Sequence, residues 1–136
     1  MDYSLSREVA MKLLFAASLG GEDTLEQVLE QSEAGASLSN RDKTFVDNLV
    51  YGVNEHQQEL DAIITPYVQG WTMDRLGKVD LILLRMAVYE IKFMPQIPVG
   101  ASINEAVELA KHFGGDKSPS FINGILGSAA RELRSE

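Results

Sequence analysis

Between Leu76 and Met94 the only polar residues are Gly77, Lys78, Asp80, Arg85, Glu90 and Lys92, and the apolar ones fall on every side of a helical projection. A helix that is apolar all round has no face to give to water. It has to be central, and the rest of the chain has to supply elements that cover it. Pro95-Gln-Ile-Pro98 then stops it. Arg85 and Glu90 interrupt this segment, and charges there are costly unless paired. Both are therefore expected to meet other charges or to cap neighbouring helix ends, with contact to a partner molecule as the alternative.

The covering elements also read as helices, because apolar residues recur at helical spacing and strand-like alternation is nearly absent. Val9, Leu13 and Ala16, with Ala10 and Leu14 beside them, mark a first helix ending at Gly20-Gly21. Asp23-Thr-Leu-Glu26 opens a second through Leu25, Val28 and Leu29. A third starts at Ser39-Asn-Arg-Asp42 and buries Phe45, Val46, Leu49, Val50 and Val53. A fourth carries Leu60, Ile63, Ile64 and Tyr67, with Pro66 bending or ending it, and Gly70-Trp71-Thr72 breaks the chain before the central helix.

Beyond Pro98, Ser102-Ile-Asn-Glu105 reads as a capping box for a helix with Ile103, Ala106, Val107, Ala110 and Phe113 on one stripe. Gly114-Gly115 is the expected left-handed stop. Ser118-Pro119 then reads as an N-cap with proline at the first helical position, opening a helix through Phe121, Ile122, Ile125, Leu126, Ala129 and Leu133. Gly124 and Gly127 are expected to let a helix or ligand approach closely. The expectation is a single all-α domain over residues 1–136, of about seven helices.

Composition removes most chemistries. There is no cysteine, so disulfides, thiolate metal sites and cysteine nucleophiles are excluded. His56 and His112 have no second ligand at metal-binding spacing, the serines sit mainly at helix starts, and no phosphate-binding glycine loop is present. No catalytic constellation, metal site or cofactor site emerges. No membrane span or signal region is visible, so a cytoplasmic protein is expected. The formal charge is −8, but residues 1–60 hold eleven acids against four bases while residues 61–136 hold nine against eight. Long-range attraction to nucleic acid is therefore weak, and a modest basic patch is the most the surface can offer.

Several motifs taken together point further. Leu76-Gly-Lys-Val-Asp80, Leu83-Leu-Arg-Met-Ala-Val-Tyr-Glu90, Ile97-Pro98, Ile103-Asn-Glu-Ala-Val-Glu-Leu-Ala-Lys111-His-Phe-Gly114 and Ser118-x-x-Phe121-Ile-Asn-Gly-Ile-Leu126 resemble the NusB family of bacterial transcription antitermination proteins. Arg7-Glu8-x-Ala10-x-x-x-Leu14-Phe15 is a weaker match. The resemblance implies two packed helical subdomains and a non-enzymatic role. It implies pairing with the small-subunit ribosomal protein NusE and binding of single-stranded boxA RNA in nascent ribosomal RNA transcripts. Within the RNA polymerase complex, that assembly opposes premature termination.

On this resemblance the RNA face joins the start of the first helix to the start of the last, which gives Arg7, Phe15, Lys117, Ser118, Phe121 and Asn123. Phe121 could stack on a base and Ser118 could meet phosphate, although core packing accounts equally well for Phe15 and Phe121. The NusE surface falls on Tyr67, Leu76 and Asp80. The start of this chain departs from the family, with one arginine, Arg7, where several are usual. Each lost phosphate contact shallows the salt dependence by about 0.7 in log–log slope. The expectation is weak RNA binding by the lone protein, partly compensated by Lys12, Lys111 and Lys117, and greater reliance on NusE. The alternative is a NusE-binding module with little RNA affinity of its own. Apolar surface awaiting NusE could also drive homodimer formation.

Overall fold

The computed structural model of the chain describes residues 3–21, 27, 38–68 and 76–134. Among the described residues there are six α-helices and no strand: α1 (Ser4–Ser18), α2 (Asn40–Glu55), α3 (Gln57–Ile64), α4 (Lys78–Phe93), α5 (Val99–Phe113) and α6 (Ser118–Leu133). A single 3-10 turn, Thr65–Tyr67, follows α3. The helix expected through Leu25, Val28 and Leu29 and the break at Gly70-Trp71-Thr72 lie outside the described residues.

The apolar segment is the centre of the molecule. Helix α4 packs against each of the other five described helices, with α1 and α2 paired to one side and α5 and α6 paired to the other. Leu83, Leu84, Val88 and Ile91 are almost completely enclosed, joined by Val9 and Ala10 of α1, Val46 and Leu49 of α2, Leu60 and Ile64 of α3, and Ile122 and Leu126 of α6. Burying side chains of this size stabilises by about 1.5–3 kcal/mol each. Arg85 and Glu90, which interrupt the apolar run of α4, are both paired, as their cost demands. Arg85 donates from Nε and Nη2 to the Asp61 carboxylate at 2.7 and 2.9 Å, tying α4 to α3. Glu90 accepts from Arg7 and from Ser102.

Local signals worked where they concern backbone chemistry. The Ser39 hydroxyl accepts from the Asp42 amide at 3.1 Å and caps α2. Pro66 sits where α3 tightens into the 3-10 turn, and Gly20, with φ +85°, ends α1 in the left-handed region that glycine takes cheaply.

Four expectations are corrected. Ser102 is no cap: α5 begins three residues earlier, and the buried Ser102 hydroxyl donates to Glu90 at 2.9 Å. Gly114 is extended (φ −97°, ψ −172°) rather than left-handed, and its lack of a side chain serves close approach. A Cβ there would lie 2.8 Å from the Ser118 side chain and 2.9 Å from the Ala110 carbonyl oxygen. Ser118 is the first helical residue rather than the cap, which is Lys117. Finally, a Cβ on Gly124 or Gly127 would meet open space, so no neighbouring helix packs closely on either glycine.

Candidate nucleic-acid interface

The start of α4 and the loop joining α5 to α6 enclose a groove of about 770 Å³, lined by Leu76, Gly77 and Asp80 on one side and by residues 115–118, Ser120 and Phe121 on the other. Residues 114–118 make a tight turn. The Ser118 amide donates to the Gly115 carbonyl at 3.0 Å, and the Gly115 amide donates to the Ser118 hydroxyl at 2.9 Å. This turn leaves Asp116 and Lys117 projecting into water and brings Phe121 round on the first turn of α6. The Phe121 ring is half-buried against the core and still lines the groove. The result is an aromatic face with one ammonium and two carboxylates within one concavity. That composition suits a ligand with a stacking surface and a phosphate, or a peptide with apolar and basic groups.

The groove unites two sets of residues expected separately. Lys117, Ser118 and Phe121, from the RNA set, share it with Leu76 and Asp80, from the partner set. Gly77, Gly115, Asp116 and Ser120 complete its lining and were missed by sequence reasoning. The one available signal was Asp116-Lys117 standing between a glycine pair and Ser-Pro.

The remaining expected residues lie elsewhere. Asn123 is exposed on α6 outside the groove, and Phe15 is half-buried on α1 against the core. Tyr67 packs its ring on the core from the 3-10 turn. Its phenol is pushed up in pKa by the carboxylate of Glu132 as acceptor, and then by burial.

Arg7 is corrected as a surface contact. It is 5% exposed, its guanidinium donates to both Glu90 oxygens at 2.9 and 2.8 Å, and it lies 5.5 Å from the Phe45 ring centroid. Helix α1 turns this residue inward because its apolar stripe, Val9, Ala10 and Leu14, is buried, and there the Glu90 carboxylate accepts both guanidinium hydrogen bonds. Ser118 is 6% exposed, and its oxygen accepts from the Gly115 amide, so it shapes the turn.

Among the described residues no group of three or more His, Asp or Glu side chains could hold a metal ion, and no helix is long and apolar enough to cross a membrane. His56, at the α2–α3 junction, stacks on Phe93 at 4.5 Å, and His112 is exposed.

Comparison with known proteins gives a consistent result. The model of the NusB family matches residues 4–131. Transcription antitermination protein NusB of Geobacter sulfurreducens is 45% identical over 132 residues, covering 95% of this chain and 94% of that protein. The NusB of Acetivibrio thermocellus is 42% identical, covering 96% of this chain and 90% of its own. Among solved structures, T. maritima NusB superposes with a TM-score of 0.83 at 32% identity, covering 97% of this chain and 92% of that one. A crystal structure of antitermination factors NusB and NusE in complex with double-stranded RNA matches with a TM-score of 0.81 at 28% identity, covering 97% and 98%.

Proposed function

The chain belongs to the NusB family, and from that premise we propose how it works: as an RNA-binding transcription antitermination factor that acts with NusE. It works by binding rather than by catalysis. The observation that carries this reading is the family match across residues 4–131 together with a groove that holds an aromatic ring and a lysine at the α5–α6 loop. The RNA is a boxA-type single strand in nascent ribosomal RNA, whose unstacked bases offer faces and edges to a helical protein. Phe121 presents a face to a base, and Lys117 meets phosphate. Leu76, Asp80 and Tyr67 form the side that receives NusE, where the Asp80 carboxylate pairs with a basic residue. Assembly takes place on RNA polymerase in the cytoplasm and opposes premature termination.

Helix α1 shapes the balance between the two ligands. Its one arginine is consumed by Glu90, so the start of α1 brings little positive charge to RNA and the complex depends on NusE for it. A second reading, a NusE-binding module with little RNA affinity, is favoured by that same burial. Fluorescence anisotropy of labelled boxA RNA, with and without NusE at two salt concentrations, separates them. The leading reading expects binding that tightens strongly with NusE and weakens with salt. NusE binding with no RNA binding in either state would establish the second.

A further inference from the structure

Of the five phenylalanines, Phe45 lies in the core and Phe15, Phe93 and Phe121 pack against it, while Phe113 stands 39% exposed at the last residue of α5. A lone exposed apolar side chain is ordinary. This one is unusual in its company. Lys12 holds its ammonium 5.5 Å from the Phe113 ring centroid, and Lys111 is exposed on the same final turn of α5.

Two contacts fix where this cluster lies. The Ser4 hydroxyl donates to Glu105 at 2.6 Å, and eight residues further along each helix Lys12 meets Phe113. Helices α1 and α5 therefore run side by side in the same direction, and the lysine–phenylalanine pair sits at the end that adjoins the 114–118 turn. The groove wall begins there at Gly115, and Lys117 projects from the same turn.

We propose that Phe113 is a second base-stacking platform, with Lys12 beside it as the cation for the adjoining phosphate, so that the RNA strand continues from the groove across the end of α5 onto α1. This rests on the RNA-binding reading above. Single-strand binders combine a cationic track with aromatic faces, and each base–aromatic stack typically contributes enough to shift affinity by about 5- to 150-fold. Each of these lysines also makes an ion pair near the surface. Lys12 pairs with Glu8 at 2.9 Å and Lys111 with Glu108 at 3.1 Å. Such pairs contribute little and exchange readily for phosphate.

The test is anisotropy of a labelled single-stranded boxA-type RNA against the full chain bound to NusE, comparing wild type with F113A, F113L, F113Y and K12A, and checking each variant for unchanged NusE affinity and thermal melting. F113A and F113L are expected to weaken RNA binding by about 5- to 150-fold, with F113Y restored to near wild type. K12A should shallow the salt slope by about 0.7. Binding by F113L equal to wild type would overturn stacking, since leucine keeps the apolar bulk without the ring. An unchanged slope for K12A would overturn the lysine's part. Wild type that fails to bind RNA even with NusE would overturn the RNA reading itself, and this proposal with it.

Discussion

Arg7 and Glu90, 83 residues apart in sequence, form a two-pronged ion pair with the glutamate 1% and the arginine 5% exposed. Ser102 adds a third hydrogen bond to the same carboxylate. One enclosed carboxylate thus fastens α1 and α5 to the central helix and sets where both helices lie relative to the groove.

Breaking that pair from one side leaves a buried charge without a partner. E90A is expected to destabilise the fold by about 3–5 kcal/mol in urea unfolding, whereas R7M/E90M, which fills the space with apolar atoms, recovers most of that loss. RNA affinity in the NusE complex should be close to wild type for the double variant. A loss confined to RNA binding would show that Arg7 reaches the RNA after all.

Gly52 lies under the ring of Tyr89, which is held in turn by Phe93 at 4.9 Å between centroids. A methyl group at Gly52 would collide with that ring. G52A is therefore expected to lower stability by about 1–3 kcal/mol by overpacking. Adding Y89L, which removes the ring, should make the alanine nearly neutral. A melting temperature unchanged in G52A alone would show that the ring moves aside freely.

The shared groove predicts a division of labour. F121L and K117A are expected to weaken RNA binding, K117A with a salt slope shallower by about 0.7, and both should leave NusE affinity unchanged. D80N should do the reverse, weakening NusE with little direct effect on RNA. Calorimetric titration with NusE and anisotropy with RNA read the two arms separately, and equal losses in both arms for D80N would contradict the division.

The Glu59 carboxyl is held below its ordinary 4.5, first by the hydrogen bond from Lys92, against a smaller opposing effect of burial and with help from the charges of Lys92 and His56. A carboxylate with a lowered folded pKa contributes stability that is present above about pH 4.5 and is lost as pH falls through the lowered value. E59Q should therefore be slightly less stable than wild type at neutral pH, with the difference closing on acidification. The group is exposed, so the effect is small. Chemical denaturation across acid pH tests the sign, and a difference that grows on acidification would refute the assignment.

The elements of this fold were legible because helical periodicity is a local property. The stripes of α2, α4 and α6 could be read from spacing, and Pro66 and Gly20 from backbone chemistry. The pairing of Arg85 and Glu90 was also foreseeable, since a charge on an all-apolar helix is too costly to leave alone. Their partners were not, because Asp61 and Arg7 are 24 and 83 residues away in sequence. Local reading misled at Ser102, Gly114 and Ser118. Each motif there has a valid local meaning, but the side chain or the missing one serves a tertiary contact instead.

The candidate site divides in the same way. Family motifs picked out Lys117, Phe121, Leu76 and Asp80 from the sequence. That these four face one another across a single groove depends on how the start of α4 meets the α5–α6 turn, which no spacing along the chain encodes. The sequence by itself determined which of the described segments are helical, that α4 is central, and that the chain belongs among NusB-like proteins. Only the tertiary structure decided that Arg7 turns inward while Phe113 stays outside. Exposure is set by what packs opposite a side chain: Arg7 meets the buried carboxylate of Glu90, and Phe113 ends its helix with the Lys12 ammonium over its ring.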